Sequence, residues 1–197
     1  MEASELPLRH NFFLQWIGGM VLKCMGWKIQ GSFPKSPKAV LIAAPHTSNW
    51  DFIVAVAAKF YLELSVHWLG KHTLFRKPFD FFFRWLGGIP VQRNASHGMV
   101  KQILDALKQD DQFLLALSPE GTRKKVERWK TGFYQIARAA EVPIIPVAFD
   151  YGKKIIQIGD AVYPSGSMET DFEKLKTFYA DAEGKHPENF NKEIIPQ

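Results

Sequence analysis

Short apolar runs alternate along the chain with segments whose apolar residues recur at helical spacing. Runs at 39–45 (AVLIAAP), 66–70 (VHWLG), 88–92 (GIPVQ), 113–118 (FLLALS), 144–150 (IIPVAFD) and 154–159 (KIIQIG) have the length and composition of buried strands. Between them, residues 49–63 place Phe52, Val56, Lys59, Phe60 and Glu63 at helical intervals. Residues 96–109, capped by Ser96, residues 132–141 and a polar stretch at 168–183 also read as helices. Strands alternating with helices predict an α/β fold: one domain with a mixed, largely parallel sheet flanked by helices. An uninterrupted apolar strand such as 113–117 suits a sheet covered on both faces.

Two segments carry more apolar surface than this scheme needs. Residues 12–27 (FFLQWIGGMVLKCMGW) are greasy but broken by Gln15, Gly18, Gly19 and Lys23, and fall short of a membrane span. Glu2 and Glu5 and the lack of a small-x-small site argue against a signal peptide. The segment is either an interfacial helix, with Arg9, His10 and Lys23 toward headgroups, or the first helix of the core. On this basis residues 1–30 divide from a main domain at 31–197. In the second segment, 79–86, Phe79, Phe82, Phe83 and Leu86 share one helical face, and Phe81 and Trp85 widen it. A helix apolar most of the way round belongs in the core or in lipid, and the core is the default.

Composition sharpens the choice of partner. The chain has 197 residues, enough for one domain with a real core. Its 16 Phe and 6 Trp suggest a greasy ligand or interface as readily as an aromatic core. The net charge of +5 and pI of about 9.2 favour phosphate-bearing partners. No nucleic-acid-binding motif is present, so lipid headgroups or phosphorylated small molecules are the better choice. The single cysteine, Cys24, excludes an internal disulfide, and the six histidines show no metal-ligand spacing. No metal or cofactor is expected.

Two loops carry candidate chemistry. Pro45-His46-Thr47-Ser48-Asn49-Trp50-Asp51 lies between a buried strand and a helix, where functional residues gather in open α/β sheets. Thr47, Ser48 or Asn49 can cap the helix, which puts Asp51 in the first turn, within reach of His46. A carboxylate on one imidazole nitrogen leaves the other as a general base; the same spacing also fits a plain capping network. No G-x-S-x-G elbow is present, so such a base would activate a substrate hydroxyl directly. After strand 113–118, Pro119-Glu120-Gly121-Thr122-Arg123 opens a basic stretch continued by Lys124, Lys125, Arg128 and Lys130. It suits a phosphate, by a tight glycine turn and a forked guanidinium, or is an ordinary basic loop.

Together these residues resemble a family. His46-x4-Asp51 is similar to the first block of the 1-acylglycerol-3-phosphate and glycerol-3-phosphate acyltransferases. Gly88-Ile89-Pro90-Val91-Gln92-Arg93 resembles the second, Pro119 to Arg123 the third, and Val142-Pro143-Ile144-Ile145-Pro146-Val147 the fourth. Lys71 to Pro78 resembles the stretch between the first two blocks, and Lys130 with Gly132 the lead-in after the third. The blocks keep the family order across residues 46–147.

The resemblance implies a glycerol-3-phosphate acyltransferase-like fold with a hydrophobic tunnel, and transfer of a fatty acyl group from acyl-CoA or acyl-carrier protein to a lysophospholipid hydroxyl. His46 and Asp51 would be catalytic. Arg93, Glu120, Gly121, Thr122 and Arg123 would serve the acceptor phosphate, with Lys71 and Lys130 as further substrate contacts. The expected location is the cytoplasmic face of a membrane, peripheral or monotopic. Ser118, Pro90 and Thr73 depart from the usual family residues, which leaves other lyso-lipids open as acceptors. A lipid-binding protein that has lost turnover, or a lipid hydrolase, are the rival classes.

Overall fold

The computed structural model describes residues 6–91 and 96–197. Among them, seven strands form one sheet in the order β1-β7-β6-β2-β5-β3-β4. The strands are β1 (Lys28–Gln30), β2 (Lys38–Ala44), β3 (Val66–Lys71), β4 (Gly88–Val91), β5 (Phe113–Leu117), β6 (Ile144–Asp150) and β7 (Ile155–Ile158). Neighbours run parallel except β6 and β7, a tight antiparallel pair. The mixed, largely parallel sheet predicted from the alternating runs is therefore present. Three residues long, β1 is too short to show a period, and pairing with β7 is what makes it a strand.

Helices cover both faces, as the all-buried pattern of β6 requires. On one face, α4 (Ser96–Gln109), α5 (Gly132–Ala139) and α6 (Met168–Tyr179) pack Ile103, Phe133, Ile136, Phe172 and Leu175 onto Val40, Ile42 and Ile144. On the other, α1 (Phe12–Met25) and α2 (Trp50–Tyr61) pack Leu22, Val54 and Ala57 against Val147, Phe149 and Ile156. Between β3 and β4 lies α3 (Asp80–Trp85). The polar helix expected over 168–183 stops at Tyr179, and the chain beyond it turns back toward the loop after β2: His186 N–H donates to Thr47 Oγ1 at 3.1 Å.

Proline in a central strand deprives the ladder of a donor. Pro146 sits in β6 opposite Ile42 of β2, and the gap is bridged by the Tyr179 hydroxyl, which accepts from Val147 N–H at 3.1 Å and donates to Ile42 C=O at 2.6 Å. The sheet thus keeps its hydrogen bonds across a position where the sequence removes one.

The N-terminal helix resolves into two faces. Asn11 caps it by accepting from Leu14 N–H at 3.0 Å, and Gly26 ends it at φ 75°. Gly18 faces α2 so closely that a Cβ would lie 2.5 Å from Ala57 O and 2.7 Å from Tyr61 N. Leu22 joins Gly18 on the buried side. Phe12, Phe13, Trp16 and Met20, at the complementary helical positions, are exposed. No described helix is long and apolar enough to cross a membrane.

Candidate active site

The parallel sheet gathers the site. The C-terminal ends of β6, β2, β5 and β3 lie along one edge; the loops after the first three carry Tyr151, His46 and the 118–123 turn, and Lys71 is the last residue of β3. This is the edge where an open α/β sheet forms a crevice.

At its centre, His46 Nδ1 lies 3.0 Å from Asp51 Oδ2. Asp51 stands in the first turn of α2 and is 2 % exposed. The same oxygen accepts the Thr47 and Ser48 backbone N–H groups, both at 2.9 Å. Its other oxygen accepts the Tyr151 hydroxyl at 2.7 Å. The carboxylate is thus fixed from four directions and cannot rotate without breaking several bonds. With Nδ1 committed to Asp51, Nε2 is the nitrogen available to take a proton. Asp51 takes up the Thr47 and Ser48 amides just ahead of α2, the Ser48 hydroxyl accepts Trp50 N–H at 3.3 Å, and Asn49 makes no capping bond with its side chain. Instead Asn49 Oδ1 accepts the Arg123 guanidinium, which ties the third sequence block to the first.

Glu120 holds the dyad from behind. Its Oε2 accepts His46 N–H at 2.7 Å and the Ser118 hydroxyl at 3.2 Å. Burial pushes its pKa up to about 7, against the opposing pull of the His46 backbone bond and the His46 charge. At 4 % exposure it sits beneath the loop rather than on the crevice wall. Gly121 makes the turn at φ 65°, and a Cβ there would lie 3.1 Å from the Lys130 side chain.

A cavity of about 1840 Å³ opens at the site and is lined at that end by His46, Asn49, Gly121, Thr122, Arg123 and Lys130, with Lys71 also in its wall. It continues between α2 and the sheet past Leu41, Phe52, Val56, Val66, Val147 and Ile156. Lys59 also lines it, donating its ammonium to Val66 C=O at 2.8 Å and Leu86 C=O at 2.7 Å; burial, then the Arg9 charge, lower its pKa to about 8. No group of His, Cys, Asp and Glu able to hold a metal occurs among the described residues.

The structure therefore brings His46, Asp51, Glu120, Gly121, Thr122, Arg123 and Lys130 into one locality and puts Lys71 on the same cavity. Arg93 and Gln92 lie outside the described residues, as does the side chain of Ser96. Tyr151 went unnoticed in the sequence because its partner is 100 positions away. Burial, and the Asp51 carboxylate beside it, push its pKa far up, so it remains a donor to Asp51. Its ring meets Trp27 edge-on at 4.8 Å, and Lys154 Nζ lies within 5.4 Å of both ring centroids.

Comparison with known proteins gives the family and the fold. A family model described as Acyltransferase matches residues 28–150. The 1-acyl-sn-glycerol-3-phosphate acyltransferase of Haemophilus influenzae is 25 % identical, covering 95 % of this chain and 85 % of its own. The Escherichia coli protein of the same name is 29 % identical over 66 % of this chain and 55 % of its own. The crystal structure of the 1-acyl-sn-glycerophosphate acyltransferase PlsC from Thermotoga maritima shares the fold, with a TM-score of 0.58 at 20 % identity, covering 83 % of this chain and 73 % of that one.

Proposed function

Since the chain belongs to the acyltransferase family, we propose that it moves a fatty acyl group from an acyl thioester to the free hydroxyl of a lysophospholipid such as 1-acylglycerol-3-phosphate. The observation that carries this reading is the His46–Asp51 pair at 3.0 Å beside a long apolar cavity. The donor is acyl-CoA or acyl-carrier protein, and the acceptor is drawn from a membrane surface facing the cytoplasm.

In this mechanism His46 Nε2 removes the proton from the acceptor hydroxyl as the oxygen attacks the thioester carbonyl. Asp51 stabilises the imidazolium that results. Collapse of the tetrahedral intermediate breaks the carbon–sulfur bond, and the departing thiolate takes the proton back from Nε2. A thioester is already activated, so no covalent enzyme intermediate is needed. Arg123 and Lys130, with Lys71 and Arg93, supply positive charge for the acceptor phosphate, and forked guanidinium pairing suits the two arginines. Thr122 offers a hydroxyl at the same turn. Glu120 holds the His46 backbone, and Gly121 lets the turn pass close to Lys130.

The test is a lysolipid panel with labelled acyl thioester, read by mass spectrometry together with release of free thiol. Acylated lysolipid should form only when acceptor is present. His46→Ala should lower turnover by roughly 10²–10⁴, the usual contribution of a positioned general base. Free fatty acid as the main product would point to hydrolysis, and absence of thiol release to a binding protein. Normal turnover in a folded His46→Ala protein would remove His46 from the mechanism.

A further inference from the structure

The helix α3 is built with two apolar faces. Inward, Phe83 meets Phe52 at 6.4 Å and Trp68 at 6.1 Å between ring centroids and lines the cavity. Leu86, just past the helix end, is 2 % exposed, and its carbonyl accepts both Lys59 Nζ at 2.7 Å and Trp68 Nε1 at 3.3 Å. The segment is thus pinned from within. Outward, Phe79 is 61 %, Phe81 80 %, Phe82 49 % and Trp85 37 % exposed. Full burial of one such side chain contributes about 1.5–3 kcal/mol, so four of them held in water are an uncovered interaction surface. The core position expected for residues 79–86 is met by Phe83 and Leu86 alone.

Two observations say what covers this face. The first is charge. Residues 71–86 carry Lys71, Arg76, Lys77 and Arg84, all exposed, against one acid, Asp80, which is paired with Arg84 at 2.8 Å. The second is continuity with α1. Arg9 donates to Trp85 C=O at 3.2 Å and lies 5.0 Å over the Trp85 ring, and the chain then enters α1 with Phe12 and Phe13 exposed. Aromatic rings flanked by cations, spread over two adjoining elements, fit an anionic lipid interface, where rings sit at headgroup depth and long cations reach phosphate.

We propose that α3 is a second membrane-entry element, which together with the start of α1 seats the protein in an anionic lipid monolayer. This rests on the reading of the protein as a membrane-surface acyltransferase. Because Phe83 and Phe82 are neighbours on one short helix, insertion also sets the wall of the acyl cavity against lipid.

The test uses the full chain with Cys24→Ser and one new cysteine at a time, labelled with an environment-sensitive fluorophore: Phe81→Cys, Phe12→Cys and, in the exposed turn at Pro187–Asn189, Glu188→Cys. Vesicles of phosphatidylglycerol and phosphatidylcholine should blue-shift the labels at 81 and 12 and leave 188 unchanged. Phe79→Ser combined with Phe81→Ser should lower vesicle affinity about tenfold or more, with turnover on short-chain soluble substrates retained. A shift at 12 without one at 81 overturns the proposal and leaves α1 docking intact. No shift at either position overturns the membrane-surface reading with it. A shift at 81 that follows protein concentration without lipid makes the face a self-association surface and also overturns the proposal.

Discussion

Asp51 is the residue on which the local design turns, because each of its oxygens serves a different neighbour. Oδ2 meets His46 and two backbone amides, and Oδ1 is held by Tyr151 alone among the described residues. Tyr151→Phe deletes only that last bond. A hydrogen bond to a charged group contributes about 1.5–3 kcal/mol, so kcat should fall roughly tenfold or more while the KM for both substrates holds, because Tyr151 orients the base and touches neither substrate in the proposed mechanism. A change confined to KM would show that Tyr151 contacts substrate instead. Glu120 makes a separate prediction. Its folded-state pKa of about 7 stands above an ordinary value near 4.5, so the folded chain holds this proton more tightly than the unfolded one. Stability therefore falls as pH rises between those values, and above about pH 7 the full cost is present, on the order of 3 kcal/mol. Glu120→Gln keeps an oxygen for His46 N–H without that cost. Relative to the parent, it should melt higher at pH 8, with the gap closing toward pH 5. A gap independent of pH in thermal unfolding would show that Glu120 is not titrating there.

At the scale of elements, the α1–α2 contact is decided by one glycine. Alanine is favoured over glycine in a helix by about 1 kcal/mol, which alone would make Gly18→Ala stabilising. The added Cβ would instead stand 2.5 Å from the Ala57 carbonyl, a backbone atom with no room to yield. The clash should win: Gly18→Ala should lower the melting temperature, whereas Gly98→Ala in α4, where no atom lies within 4 Å, should not. Equal melting temperatures would mean that α1 is only loosely seated. The same contrast explains what the sequence could reveal. Strands β2, β5 and β6 each carry an apolar run of five or six residues, and β2 and β5 are followed directly by Pro45 and Ser118, so their pattern is local and readable. So are the His46–Asp51 spacing, set by one helical turn, and the four ordered blocks. The Tyr151–Asp51 bond, the Tyr179–Ile42 bond and the return of the C-terminal segment to Thr47 join positions 100 or more apart and leave no local period. For residues 12–27 and 79–86, periodicity marked which side is apolar but not how many sides find a partner. Residues 12–27 bury Gly18, Leu22 and Trp27 and residues 79–86 bury Leu86, with Phe83 half-buried, and each segment leaves its other apolar side bare.

For the whole molecule, the sheet and the surface charge address two different needs of a reaction on lipid. Parallel strands bring four loops to one edge, so residues from His46 to Tyr151 meet without a long loop, and the cavity runs back beneath α2 from that edge. The net charge of +5 acts over a longer range. Each well-placed Lys or Arg near an anionic surface contributes about 1 kcal/mol, and salt screens that attraction. The apolar contribution from Phe12, Phe13, Trp16 and the outer rings of α3 is not screened in this way. Raising salt from roughly 0.1 M to roughly 1 M shortens the Debye length from about 10 Å to about 3 Å. Co-flotation with phosphatidylglycerol vesicles should therefore weaken across that range, while the smaller fraction bound to phosphatidylcholine vesicles should hold steady. Arg76→Gln with Lys77→Gln should reduce the salt response on anionic vesicles and leave neutral vesicles unaffected, because both side chains are exposed beside α3. Equal binding to the two vesicle types at low salt would remove charge from the account and leave the aromatic faces as the whole of the attachment.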